Sequence, residues 1–241
     1  MRIFIEDDPD GRMPISVIVS AYNVAPYLEE CLSSIFDQNY QDGLEVLVGV
    51  DSCGPTRDKF NQIKHMFPGV KGFWFPRNVG TYVVSNTLAG KAQHSTLMRF
   101  DSDDVMLPGM MSRIRNFARS APVSIINCHS ISFWQGSDRE QLNTHPCEGQ
   151  STMSLSLWQQ LGGWRGWRCA ADTDFIARAT SGGAIRKTLT GGPGFRRRIR
   201  SGSLTQNRET GMGSVLRNRY ASRIRHKPEH AGNEQAHCHC L

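Results

Sequence analysis

Asp101, Asp103 and Asp104 fall within four positions, directly after an apolar run over residues 94–100. Like charges set so close repel one another and resist ionising together, a cost that a bound cation removes. An all-oxygen carboxylate set suits a hard divalent ion, Mg²⁺ or Mn²⁺, which keeps coordination positions open for phosphate oxygens. The pattern therefore points to chemistry on a diphosphate. Its competitor is a plain polar turn ahead of a helix started by Pro108, since Asp and Ser are ordinary turn and cap residues.

Those carboxylates need a scaffold, and the hydrophobic pattern predicts one. Residues 15–19 form a short β-branched run typical of a strand buried on both faces. Asn23 is placed to cap the next helix, with Pro26 in its first turn. Leu28, Cys31, Leu32, Ile35 and Phe36 then recur at helical spacing. Residues 44–50 read as a second buried strand ending at Asp51, Phe60 to Phe67 as a second helix, and residues 70–75 as a third strand. A helix over residues 80–92, the strand carrying Arg99 and Phe100, and a helix over residues 110–118 complete the series.

Such alternation predicts βαβ units and a mostly parallel sheet. Binding groups in these sheets gather beyond the strand C-termini, where Asn23, Asp51 and the 101–104 cluster all fall. Beyond Pro122 the alternation weakens. Residues 123–128 and 131–134 look like paired strands of a hairpin, residues 158–167 are rich in Trp and Gly, and residues 170–179 read as a helix.

A chain of 241 residues accommodates one sizeable α/β domain, and hydrophobic and charged contents of 39% and 21% mark it as globular. The expected division is a single domain over residues 1–227, then a flexible tail over 228–241. No apolar run approaches the roughly 18 residues of a membrane span, and no secretory leader is evident. Seven scattered cysteines argue against a disulfide scaffold and for a reducing, cytoplasmic setting. Between Arg196 and Lys227 nine Arg and one Lys face a single Glu, whereas the whole chain carries +6, so the remainder is mildly acidic. A basic segment of this kind serves phosphates, nucleic acid or an anionic membrane surface.

Several segments together resemble a family 2-type glycosyltransferase of the GT-A fold. Residues 15–23, ISVIVSAYN, are similar to that family's first strand and turn, and Val48-Gly49-Val50-Asp51-Ser52 resembles its second-strand Asp. Asn78-Val79-Gly80 and Asn86 resemble the stretch before the DxD, and Asp101-Ser102-Asp103-Asp104 resembles the DxD itself. Ala170-Ala171-Asp172-Thr173-Asp174-Phe175 with Arg178 resembles the acidic motif that carries the catalytic base. The resemblance spans about residues 14–220 and implies nucleotide binding in 14–104 and acceptor binding in 105–227. It implies a Rossmann-like α/β/α sandwich with a mostly parallel central sheet, a nucleotide-sugar donor and an inverting transfer to an acceptor hydroxyl.

Carried over residue by residue, the resemblance places the donor against Ala21, Tyr22, Asn23, Asp51, Asn78, Asp101, Asp103 and Arg200. Asp51 would accept a base N–H. Asp103 would be the direct ligand of Mn²⁺ or Mg²⁺, with Asp101 on the metal's water or the ribose and Asp104 orienting the others. Asp172 would be the general base; Asp174 is its rival, or else a structural partner of Arg178 at helical spacing. The family's Glu before the base is Ala171 here, and where many members place a His in a late loop this chain offers Ile199 and Arg200. Arg200 would then clamp the diphosphate directly. Trp164 and Trp167 are candidates for an aromatic acceptor platform, with core packing as the alternative.

The expected partners are a nucleotide-sugar donor, UDP-linked for preference, and a glycan, lipid-linked or protein acceptor, with peripheral contact to a membrane face through the basic segment. Two other classes compete. A nucleic-acid-binding protein would use the Arg-rich region but leaves the acidic cluster unexplained, so no nucleic-acid partner is expected. A catalytically lapsed relative would bind sugar nucleotides without turnover. A GT-A-like nucleotidyltransferase or a Rossmann dehydrogenase would need a glycine-rich turn after the first strand, and Ser20-Ala21-Tyr22-Asn23 has none. His237-Cys238-His239-Cys240 alternates too tightly for the usual zinc knuckle.

Overall fold

The computed structural model describes residues 3–203, 206, 211, 214–226 and 239–240. Its first half runs β1 (Ile15–Ala21), α1 (Leu28–Phe36), β2 (Leu44–Asp51), α2 (Gly54–Ile63), β3 (Lys71–Phe75), α3 (Thr81–Ala89), β4 (Thr96–Asp101), β5 (Val105–Met106) and α4 (Met110–Ser120). Then follow β6 (Ile125–Cys128), β7 (Ser130–Trp134), β8 (Glu140–Leu142), β9 (Cys147–Ser154), α5 (Leu155–Gln160), α6 (Ala171–Ser181), β10 (Arg186–Thr188), β11 (Phe195–Ile199), α7 (Val215–His226) and β12 (His239–Cys240).

Among the described residues the main sheet has the order β10-β6-β9-β4-β1-β2-β3-β12. β1 is central: Ile15 lies beside Leu44 on one flank and Thr96 on the other, both pairings parallel. Successive side chains of a strand point to opposite faces, so a strand covered on both must be apolar throughout. β1 sends Ile15, Val17, Val19 and Ala21 into one core and Ile18 into the other; β2 divides Val46, Val48 and Val50 from Leu47 in the same way. Helices α1, α2 and α4 cover the first face and α3, α5 and α6 the second, which makes the α/β/α sandwich. Each such side chain contributes about 1.5–3 kcal/mol on burial. Gly49 allows α3 to pack close on β2, because a Cβ there would lie 2.4 Å from Val84 Cγ1.

Two local expectations change. α1 begins at Leu28 rather than after Asn23, because residues 24–28 first make a tight turn in which Val24 C=O accepts from Tyr27 and Leu28. β6 and β7 are not a hairpin. They part at His129: β6 joins the main sheet between β10 and β9, and β7 joins a second sheet of order β5-β11-β7-β8.

The second sheet leans on the C-terminal end of β4, with Phe195 of β11 edge-on to Phe100 at 5.9 Å. The expected flexible tail and the His237 to Cys240 cluster lie outside the described residues except for β12, whose backbone pairs antiparallel with β3.

Candidate active site

The acidic turn is fixed before any ligand is considered. Ser102 Oγ donates to Ser20 C=O at 2.8 Å, tying the turn to the end of β1, and Asp104 N–H closes it on Asp101 C=O at 3.3 Å. Asp104 is buried and acts inward: its carboxylate accepts from Arg198 N–H at 2.8 Å and from the Gln150 amide. Burial first, then the charges of Asp103 and Asp101, push its pKa well above the usual carboxylate range. Its part is to hold the turn against β9 and β11.

Asp101 and Asp103 are half-buried, unlike Asp104, and are each met by an arginine. Arg99 Nη2 lies 2.9 Å from Asp101 Oδ1, and Arg200 Nε donates to Asp103 Oδ2 at 2.8 Å. Burial raises the pKa of Asp101; Arg99 opposes the shift, while Asp103 and Asp172 add to it. Arg99 is itself enclosed in β4, bonded to Gly149 C=O and to Thr81 Oγ1 at 3.2 Å, with its guanidinium 5.4 Å from the Tyr82 ring centre. Sequence reasoning assigned Arg99 no role. The available signal was a charged residue inside an otherwise apolar strand, which is tolerated only with a carboxylate partner.

Asp172 comes to the same place from α6. It lies in the first helical turn, where the helix dipole favours a carboxylate, and Oδ1 accepts from Thr173 N–H at 3.0 Å. Thr173 Oγ1 in turn donates to Glu148 of β9 at 2.8 Å. A Cβ on Gly149 would lie 3.1 Å from Asp172 Oδ2, 3.3 Å from Arg99 Nη1 and 3.9 Å from Asp101 Oδ2. Base candidate, arginine and acidic turn therefore converge around one glycine. Burial, then the facing Asp172 carboxylate, raise the Tyr82 hydroxyl well above its ordinary range. Asp174, the rival base, is buried between Arg165 at 2.9 Å and Arg178 at 2.8 Å, and Arg178 also donates to Leu161 and Gly163 C=O. It is a structural anchor.

On the nucleotide side Ala21 is buried and Tyr22 is 54% exposed. Asn23 and Ser52, beyond the ends of β1 and β2, have φ of 53° and 55°, and Ala170, just before α6, has 63°. Non-glycine residues held there cost about 1–3 kcal/mol and cluster at functional sites. Asp51 is buried, and its two oxygens accept from Val79 N–H at 2.8 Å and Gly80 N–H at 2.9 Å, fixing the entry to α3. Both backbone bonds lower its pKa, but burial outweighs them and raises it. The second lone pair of each oxygen is what remains for a base. Asn78, beside this turn, is exposed.

The aromatic platform needs correcting. Trp164 is 1% exposed, packed on Phe175 at 5.4 Å, and its backbone is held by the Asn86 amide at 2.6 and 2.9 Å. Enclosed in the core, it offers no face to an acceptor. Trp167 is half-buried and stacked on Tyr220 of α7 at 4.4 Å, with Arg165 above its ring.

The residues fit a divalent cation as far as donor chemistry goes. Asp101 and Asp103 supply two half-buried carboxylates, and the Arg200 guanidinium already stands as a cation on Asp103 Oδ2. No three His, Cys, Asp or Glu side chains among the described residues form a ready-made metal site. A two-carboxylate site is the kind that substrate phosphates complete.

A mostly parallel α/β sandwich gathers its binding groups beyond the C-terminal ends of its strands, where these carboxylates stand. The family described as glycosyl transferase family 2 matches residues 16–176, and the chain belongs to it. An uncharacterised glycosyltransferase of Nostoc sp. is 30% identical over 155 residues, 63% of this chain and 48% of the relative. An N-acetylglucosaminyltransferase of Mesorhizobium japonicum is 31% identical over 114 residues, 45% and 27% of the two chains. The chain thus spans less than half the length of either.

Among solved structures, Staphylococcus aureus TarS 1-349 in complex with UDP-GlcNAc superposes with a TM-score of 0.68 at 18% identity, covering 79% of this chain and 60% of that one. A mannosyltransferase of Pyrobaculum calidifontis in complex with GDP-Man and Mn²⁺ gives 0.69 at 18%, covering 95% and 69%. The fold is that of GT-A glycosyltransferases.

Proposed function

We propose that this chain transfers a sugar from a nucleotide-sugar donor, a UDP-sugar for preference, to an acceptor hydroxyl with inversion. The convergence of Asp172, Arg99 and Asp101 on Gly149, beside Asp103, carries this reading. The relatives' names and the UDP-GlcNAc and GDP-Man complexes support it.

The nucleoside lies against Ala21, Tyr22, Asn23, Asp51 and Asn78 at the ends of β1 to β3, and the diphosphate reaches Asp101 and Asp103. A bound Mn²⁺ or Mg²⁺ supplies Lewis-acid neutralisation of the departing diphosphate. Arg200 leaves Asp103 to donate to the diphosphate, exchanging one oxyanion partner for another. Asp172, reachable from solvent at the head of α6, accepts the acceptor hydroxyl's proton as that oxygen attacks C1 from the side opposite the leaving group. Arg99 and Tyr82 keep its carboxylate aimed across Gly149.

The acceptor is a glycan, lipid-linked or protein hydroxyl. Among the described residues no helix is long and apolar enough to cross a membrane, and the basic C-terminal segment offers charge to an anionic membrane face. The deciding experiment is Asp172→Asn. UDP with Mn²⁺ should bind as in the wild type by calorimetry, while transfer falls about 10²- to 10⁴-fold. Equal turnover removes Asp172 as base. UDP binding without transfer in either protein points to a lapsed relative, and salt-dependent RNA or DNA binding without UDP binding points to the nucleic-acid reading.

A further inference from the structure

β11 carries Arg196, Arg197 and Arg198, with Arg200 just beyond its end. Alternation places Arg196, Arg198 and Arg200 on one face and Arg197, with Phe195 and Ile199, on the other. The first three are each matched by a carboxylate: Arg196 by Glu140, Arg198 by Glu30 and Arg200 by Asp103. Arg197 is in no ion pair among the described residues. Its Nη2 donates to Ser132 Oγ at 3.2 Å, and its Nε is buried without a partner. Ser132 is itself held by Asn143 and brings no charge.

Arg197 is half-buried, and a guanidinium partly withdrawn from water without an ion-pair partner carries a cost that persists where a ligand removes it. Arg198 and Arg200 lie over the Tyr27 ring of the donor side, whereas Arg197 is on the opposite face of β11, next to the acidic turn that Arg198 N–H ties through Asp104 at 2.8 Å. Asp101 is already committed to Arg99. Of the five buried side-chain atoms left without a partner among the described residues, three belong to Arg99, Gln150 and Arg197, which bracket the acidic turn. Trp134, half-buried on the face shared with Ser132 and Arg197, carries Arg139 at 4.1 Å from its ring centre.

We propose that Arg197 is an oxyanion subsite on the acceptor side of the active site, and that the acceptor carries a phosphate or carboxylate near the hydroxyl that is glycosylated. The planar guanidinium, fixed by Ser132, presents paired donors to such a group, and Trp134 supplies the aromatic surface that Trp164 cannot. This rests on the glycosyltransferase reading, since it takes the side of the turn bearing Asp172 as the acceptor side.

The test titrates inorganic phosphate into the full chain saturated with UDP and Mn²⁺, by calorimetry. The wild type and Arg196→Gln should bind phosphate alike, Arg197→Lys should retain most of the affinity, and Arg197→Gln should lose at least about tenfold. UDP affinity should be the same in all four. Phosphate that competes with UDP assigns Arg197 to the donor's diphosphate and overturns the acceptor subsite. Equal binding by Arg197→Gln, or none by the wild type, overturns the subsite itself. Failure of the wild type to bind UDP overturns the glycosyltransferase reading instead, and Arg197-dependent binding of phosphate to the free protein still supports the oxyanion site.

Discussion

The two halves that meet at the acidic turn are built on opposite plans. In the parallel half, β1, β2 and β4 bury apolar side chains along most of their length, with Ser16, Glu45 and Arg99 among the buried polar exceptions, and the candidate donor residues Asn23, Asp51 and Asp101 stand at or just past their C-terminal ends. In the second sheet chemistry runs along the strands, with Ser130, Ser132 and Asn143 bonded together on β7 and its flank and four arginines on or just after β11. A strand covered by helices on both faces can present function only at its tip. A strand whose face turns toward a cleft can present it at every second residue. Donor recognition should therefore be spread over loop tips and tolerate single changes. Catalysis should depend on a few close contacts between the halves.

Gly149 gives the sharpest break in that comparison. Its C=O accepts from Arg99 of β4, and Gly149→Ala sets a methyl 3.1 Å from Asp172 Oδ2 and 3.3 Å from Arg99 Nη1, against 3.9 Å from Asp101 Oδ2, so the crowding falls on the base and the arginine first. At these distances the neighbours give by a few tenths of an ångström, a fraction of the roughly 1 Å misplacement that costs about 10²-fold, so a loss of about tenfold in turnover follows. The expected result is that loss in kcat with the UDP dissociation constant unchanged. If instead UDP binding falls and kcat holds, the contact belongs to donor recognition and the division between halves is wrong.

The same division explains what could be read from the chain. The β1 and β2 runs, the helical spacing of Leu28 to Phe36 and the position of Asp101 follow from local periodicity, and all appear within a few residues of expectation. Residues 123–134 could not be read that way. β6 and β7 look like adjacent arms, but β6 finds β9 some twenty residues later and β7 finds β11, partners that no local pattern names. Trp164 misled for a related reason. Its ring packs against Trp158 and Phe175, and the Asn86 amide, 78 positions away, fixes its backbone there. For Asp174, by contrast, spacing already held the answer in Arg178, and Arg165 completes the pair. Roles resting on one neighbour four residues off were legible; those resting on a distant strand were not.

Arg200 tests the border from the other side. Its guanidinium lies on Asp103 at 2.8 Å and over the Tyr27 ring at 5.1 Å, so it belongs to the second sheet by sequence and to the donor side by contact. Arg200→Ala should weaken UDP binding about tenfold, the order of one charge-assisted hydrogen bond. Mn²⁺ alone should bind the free variant more tightly than the wild type, because Asp103 no longer has an arginine to displace. Both effects are read by calorimetry. Unchanged UDP affinity sinks the clamp, and unchanged Mn²⁺ affinity sinks the competition for Asp103.

The smallest effect expected lies wholly inside the parallel half, at Glu45. Its carboxylate accepts from Ser16 Oγ at 2.6 Å, Lys71 Nζ at 2.7 Å and Gln93 N–H at 2.9 Å, joining β1, β2, β3 and the loop before β4. Burial alone would raise its pKa, but the bonds from Lys71, Ser16 and Gln93 outweigh burial and lower it. A carboxylate with a lowered folded pKa adds stability above its unfolded value, and that increment is lost as pH falls through the folded value. Glu45→Gln should therefore unfold about 1–2 kcal/mol more easily in urea at pH 7, and the gap to the wild type should close toward pH 3. Turnover at pH 7 should be unaffected. A gap that stays constant with pH would mean that the three bonds act through geometry and not through the ionised carboxylate.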